Sequence, residues 1–286
     1  MLTHGAPFLF ALFAWWFSTA VIIYLDGLPR PTFRWSMAVI TGLSLCALGG
    51  LASLRDDTSI AGAYLAFVCG LLAWAWPEVG FYTGYLAGPR REHCPENCGG
   101  WRHFGHAVHA SLHHELAILV IGVIVTAITW NAANPVGRWT FLVLWGMSES
   151  AKLNVFLGVR NLNEELLPPQ LQHLRSYLTH KPINFLFPIS ITVSTIVTAL
   201  LFFQAFRTAD AFEATGLVLV ATMLAVGVLE HWLLILPIST TRLWEWGLRS
   251  RQARRGEVAS GALPHPLSSA PVTRLRLRQI NHEVIE

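Results

Sequence analysis

Long apolar runs broken by short polar stretches fill the chain up to about residue 240. The runs lie near 6–25, 36–54, 59–86, 104–130, 138–159, 183–206 and 212–240. Each is long enough to cross ~30 Å of hydrocarbon at about 1.5 Å of rise per residue. A segment in lipid must satisfy its own backbone, and apolar runs of this length without period-two alternation do so as helices. The pattern therefore predicts an all-α, polytopic membrane protein with about seven transmembrane helices. The first run has no basic residue ahead of it and continues well past the length of a signal's apolar segment, so it is expected to stay as a span.

Beyond residue 245 the pattern stops. Arg249, Arg251, Arg254 and Arg255 form a basic cluster suited to anionic headgroups. Residues 256–271 are rich in Gly, Ala, Ser and Pro and read as a flexible linker. The last stretch, Thr273 to Ile280, alternates basic and apolar residues. That pattern suits a solvated tail or a segment that adds to the edge of a partner's sheet. Two units are expected: a transmembrane domain, 1–245, and a basic, flexible tail, 246–286.

Composition agrees with lipid as the main solvent. Charged residues make up 13% of the chain and hydrophobic ones 53%, against about 25% charged in a typical soluble domain. The distribution of charge then orients the spans. Of the twenty basic residues, sixteen fall on one side of the seven-span arrangement and Arg55, Arg138 and Arg207 on the other, with Lys152 inside a run. Basic residues collect on the cytoplasmic side, so the N-terminus is expected outside and the C-terminus in the cytoplasm. No phosphate-binding loop or dinucleotide fingerprint is present, and no nucleic-acid partner is expected.

Ionisable side chains inside spans are costly and mark function by default. Here they gather toward the cytoplasmic half: Glu78 in the third run, His103, His106, His109, His113, His114 and Glu115 in the fourth, Glu149, Lys152 and Asn154 in the fifth, Glu230 and His231 in the seventh. Counted along their helices, Glu115, Glu149 and His231 all reach ~14–18 Å in from that side. Three helices offering carboxylates and imidazoles at one level predict a shared polar chamber. One chemistry that fits is a metal site, with iron among the candidates, held by His114, Glu115, Glu149, Glu230 and His231 in the manner of helix-bundle centres. A tetrapyrrole ligated by histidine is another. A third reading is structural, with Glu149 and Lys152 pairing at i,i+3. The segment His109 to His114 is similar to the H-x3-H-H box of membrane di-iron desaturases, which carry three boxes where this chain has one.

Two cysteines, Cys46 and Cys69, lie in apolar runs and read as small buried hydrophobes. Cys94 and Cys98 form a C-x3-C beside His93 in a Pro/Gly-rich loop. The spacing alone supplies no second ligand pair of the usual zinc pattern, so bystander thiols are the expectation there. The loop from Arg160 to Pro169 ends at a Pro-Pro stop. Leu171 to Leu178 then reads as a short interfacial helix, with a catalytic lid as the other possibility.

Several of these segments together carry a resemblance. Thr83 to Arg91, Cys94-Pro95, His114 to Ile118, Asn161 to Pro168 and Leu229 to Trp232 resemble the PuhE family of photosynthetic complex assembly proteins of purple bacteria, over roughly residues 5–245. The resemblance implies a multi-span protein of the bacterial inner, intracytoplasmic membrane, encoded near the reaction-centre H subunit. It further implies action in assembly of the reaction centre and light-harvesting complex, or in modulating bacteriochlorophyll supply, with subunits of those complexes as partners beside the lipid bilayer. His114, Glu115, Asn161, Glu164, Glu230 and His231 fall in the family's polar motifs. With Glu149 they are the expected cofactor-contacting residues, for bacteriochlorophyll or another tetrapyrrole. The rival expectation is a membrane metalloenzyme, of oxidase or hydroxylase type, acting on a lipid-soluble or tetrapyrrole substrate.

Overall fold

The protein is described from a computed structural model covering residues 3–95, 98–162, 164 and 167–237. The expected tail, 246–286, lies outside the described residues. Long α-helices follow the apolar runs: α1 (Gly5–Gly27), α2 (Phe33–Ser53), α3 (Ile60–Tyr82), α4 (Gly100–Ile128), α5 (Val136–Leu157), α6 (Leu186–Arg207) and α7 (Ala211–Leu233). The described residues contain no strand beyond a single bridge, Val159 to His180. Six of the helices are long and apolar enough to cross a membrane. The exception is α5, whose 22 residues include Arg138, Glu149, Lys152 and Asn154. Those polar groups keep it below the apolarity of the others.

Caps explain where several helices begin and end. Ser59 Oγ accepts from the Gly62 amide at the start of α3, and Asp210 Oδ1 accepts from Phe212 and Glu213 at the start of α7. Each cap satisfies an amide that has no partner within its helix. Asn184 Oδ1 serves α6 in the same way through Leu186 and Phe187, while its Nδ2 ties back to the carbonyls of Asn154 and Gly158. The last apolar run extends to 240, yet α7 stops at Leu233. There Asn161 Nδ2 donates to the Leu233 carbonyl at 2.8 Å and its backbone amide to Leu234 at 2.8 Å, taking the carbonyls that a further turn would have used.

Helix α7 sits centrally, against α1, α3, α5 and α6, and is buried along most of its length from Ala214 to His231. Helix α3 is the second hub and touches α1, α2, α4, α5 and α7. Its line of small residues, Ala63, Ala66, Gly70 and Ala73, is buried and lets a neighbouring backbone approach. A Cβ on Gly70 would stand 2.4 Å from the Gly137 carbonyl oxygen of α5, and one on Gly137 would stand 2.6 Å from the Ala66 oxygen. Close crossing at small residues is the usual way helices gain packing in lipid, where burial from water supplies no drive. Phe67, Trp74, Phe141, Leu219 and Met223 fill the space around this crossing. The outer helices turn apolar side chains outward instead: Ile189, Val193, Ile196, Leu200 and Phe203 of α6 are all exposed. A continuous apolar face of this extent suits acyl chains rather than water.

The connections collect at two ends of the bundle. At the first, the Asn134 amide donates to the Arg55 carbonyl and His4 Nε2 bonds the Ala205 carbonyl. At the second, the loop after α3 lies against α4, the Gly88 amide donating to the Ala110 carbonyl at 2.9 Å. The 3-10 segment Pro169–Tyr177 covers that end.

Candidate functional site

A chain of ionisable groups crosses α3, α4 and α5 inside the bundle. Glu78 follows Pro77, whose ring removes one helical amide. Its Oε1 lies 3.3 Å from His114 Nε2 on α4. His114 Nδ1 faces Glu115 Oε1 at 3.6 Å, and the ring is only 2% exposed. Neither contact has hydrogen-bond alignment, so the imidazole lies between the two carboxylates without a directed bond to either. Phe81 covers it at 4.5 Å between ring centroids. From Glu115 the chain continues to Lys152 Nζ at 2.7 Å, and Lys152 reaches Glu149 at the same distance. Lys152 and Glu149 are the i,i+3 pair on α5, now shared with a carboxylate from α4.

A second network runs beside the first, from α7 through α5 to α6. His231, 1% exposed, donates Nδ1–H to the Gly227 carbonyl at 2.8 Å, because a carbonyl can only accept. Its Nε2 therefore accepts from Ser150 Oγ at 2.9 Å. The Ser150 and Ser190 hydroxyls are 2.9 Å apart, and Asn154 Nδ2 donates to Ser190 Oγ at 3.1 Å. Both nitrogens of His231 are thus in use within the bundle.

The structure brings His114, Glu115 and Glu149 into one chain of contacts and gives the other expected residues separate partners. Glu230 turns toward α1 and accepts from Trp15 Nε1 at 2.9 Å. Asn161 caps α7. Glu164 faces Arg175 at 3.4 Å and His180 at 3.9 Å, tying the loop after α5 to the 3-10 segment. Five participants were not among the expected site residues: Glu78, Lys152 and Asn154, whose cost within apolar runs marks them in the sequence, and Ser150 and Ser190. The two serines give no such signal, because hydroxyls are common in helices that span membranes.

The Glu115–Lys152–Glu149 end of the chain is not sealed. Lys152 is 34% exposed and lies between α4 and α5, where an apolar groove of about 640 Å³ opens on the bundle surface. Leu119, Gly122, Val123, Ala127, Trp130 and Trp145 line it. Leu119 lies one turn from Glu115 on α4 and Trp145 one turn from Glu149 on α5, so charge and groove share a helical face on each. The groove itself is apolar, and the charged cluster lies about one helical turn beyond its Leu119–Trp145 end. A second crevice, about 680 Å³, opens at the second end of the bundle beside Arg30, Arg91, His93 and His173. Burial, with Arg91 and His93 adding repulsion, holds the His173 imidazole below its ordinary pKa. The crevice owes its positive charge mainly to the arginines.

Fold and site together define a polytopic helical membrane protein with an intramembrane charge chain that opens onto an apolar groove. The chain belongs to the family described as "Protein of unknown function (DUF3623)", which matches residues 1–255. It is 37% identical over 252 residues to a Rhodobacter capsulatus protein named "Uncharacterized 30.4 kDa protein in puhA 5'region", covering 85% of this chain and 92% of that one. No solved structure matches the chain.

Proposed function

We propose that this protein is an assembly factor of the bacterial inner membrane that serves the photosynthetic reaction centre and light-harvesting complex by handling bacteriochlorophyll or a precursor. One observation carries the chemistry: the half-exposed Glu115–Lys152–Glu149 cluster stands at the head of an apolar, tryptophan-lined groove. Such a site matches an amphiphile with a polar, hydrogen-bonding end and a long apolar body. A relative whose name places it in the puhA 5' region, together with the resemblance to the PuhE family, supports photosynthesis as the setting.

In the same reading all seven helices span the bilayer and the second end of the bundle faces the cytoplasm. That end carries Arg30, Arg90, Arg91, Arg102, Arg160, Arg175 and Lys181, the bias expected of a cytoplasmic face. The charge cluster on α5 is then satisfied by neighbouring helices rather than by lipid. Topology reporters fused at Asp57 and Pro135 should report outside, and those at Gly99 and Pro169 inside. A report from the same side at Pro135 and Pro169 would remove α5 as a span.

An imidazole that ligates a magnesium tetrapyrrole needs a free lone pair. His231 has none to offer and His114 is enclosed by Glu78 and Glu115. His113 keeps Nε2 open, since its Nδ1–H donates to the Ala87 carbonyl at 2.6 Å, but it points about 160° away from Glu115 around α4, so a pigment in the groove takes its polar contacts from the Glu115–Lys152–Glu149 cluster instead. The metalloenzyme reading has less support, since the Lys152 ammonium stands where a cation shared by Glu115 and Glu149 would sit.

Pigment retention tests the groove. Purified protein mixed with bacteriochlorophyll in detergent should carry pigment through gel filtration. Ala127→Trp, which fills the groove from an exposed position, should weaken retention at least ~10-fold, equivalent to about 1.4 kcal/mol, without lowering thermal stability. Equal retention by both proteins would place the pigment elsewhere, and none by either would defeat the reading.

A further inference from the structure

The loop that joins α3 to α4 folds back so that its two cysteines meet the start of α4. Cys94 Sγ lies 3.1 Å from His103 Nδ1, and Cys98 Sγ lies 3.2 Å from His106 Nδ1. One ligand atom each from Cys94, Cys98 and His106 falls within 4.8 Å of the other two. His103 lies outside that mutually close set and touches it through Cys94 alone. His103 and His106 are three residues apart on a helix, about 60° in azimuth, and so present their rings on one face.

We propose that Cys94, Cys98, His103 and His106 form a closed, four-coordinate zinc site that fastens the α3–α4 loop to the first two turns of α4. Two thiolates and two imidazoles are the donor set that zinc takes in tetrahedral structural sites. With zinc–sulfur bonds of about 2.3 Å and zinc–nitrogen bonds of about 2.0 Å, a tetrahedral sulfur-to-nitrogen edge is about 3.5 Å. The two contacts seen need open by only a few tenths of an ångström to admit the ion, and the His103 ring must turn in toward Cys98 and His106 to complete the set. Four protein ligands leave no open position, so the site is structural rather than catalytic.

The surroundings hold both halves of the site in place. The Cys94 amide donates to Ser176 Oγ at 2.8 Å, and Tyr177 donates its hydroxyl to the Glu92 carbonyl while accepting from Arg90 Nε, both at 2.8 Å. The His103 ring lies between Phe156 and Tyr177, with centroids 5.2 and 5.9 Å away. The zinc site thus links the α3–α4 loop, α4, α5 and the 3-10 segment at the second end of the bundle. His106 precedes His114 by eight residues on the same helix, about 12 Å along its axis, so the clamp fixes the entry of the helix that carries the charge chain. This assignment stands apart from the pigment-handling reading and survives its failure.

Metal content and cobalt spectroscopy of the full-length protein in detergent test the site. Wild-type protein should hold one zinc per chain. Replacement by cobalt should give the visible absorption of a tetrahedral ion together with a near-ultraviolet thiolate-to-metal band. Cys94→Ser/Cys98→Ser should lose both the zinc and the bands. If that variant does not accumulate, His106→Cys decides: it should keep the metal and strengthen the thiolate band by adding a third sulfur. Wild-type protein without zinc whose thiols react freely would overturn the proposal. So would a Cys94–Cys98 disulfide that takes up no metal after reduction, an unchanged zinc content in the double variant, or an unaltered cobalt spectrum in His106→Cys.

Discussion

Lys152→Met should destabilise the folded bundle by about 2 kcal/mol, less than the cost of removing one partner from a fully buried ion pair because the cluster is partly exposed. Lys152 bonds Glu115 and Glu149 at 2.7 Å each, from two helices that otherwise meet sparsely. Methionine keeps the length and most of the volume of the side chain, so packing is little altered. What changes is that two carboxylates within reach of one ammonium lose it together. They respond by repelling or by taking up a proton, and the second response keeps the cost from growing further. The check is thermal unfolding in detergent, with Lys152→Met/Glu115→Gln/Glu149→Gln beside the single variant. The single variant should melt well below wild type and the triple should recover part of the loss, because its carboxamides carry no charge to bury. A single variant that melts with wild type would mean that the cluster is solvated by headgroups and adds nothing to stability.

The same cluster shows how far the amino-acid pattern could be followed. Apolar run length located the helices to within a few residues, because in lipid only one backbone arrangement satisfies a twenty-residue segment. Its limits lay at the ends: α7 stops short of its run at Leu233 because Asn161, more than seventy residues earlier, takes its last carbonyls. Glu115, Glu149 and His114 stood out as ionisable residues in apolar surroundings. Their mutual contacts through Lys152 and Glu78 required the crossing of α3, α4 and α5, which rests on small residues such as Gly70 and Gly137 meeting backbone to backbone. Periodicity along one helix carries no information about that meeting.

Glu230 and His231 illustrate the opposite case. Adjacent in sequence, they point about 100° apart on a helix, and the structure gives them unrelated partners, Trp15 of α1 and Ser150 of α5. Spacing within α7 could not reveal this. The cysteine loop was obscured for a similar reason: H-x2-H is not the familiar zinc spacing, and only the turn of the loop onto α4 brings the thiols to the imidazoles.

The central claim, that the charged head of the α4–α5 groove serves assembly of the photosynthetic complexes, is tested most directly by Glu115→Gln in a phototrophic host that lacks the wild-type gene. The substitution is isosteric and leaves Lys152 paired with Glu149 at 2.7 Å, so the protein should insert and accumulate. With membrane levels matched by immunoblot, reaction-centre and light-harvesting absorbance should remain as low as in the deletion strain. Restoration of that absorbance to the wild-type level by the variant would contradict the claim.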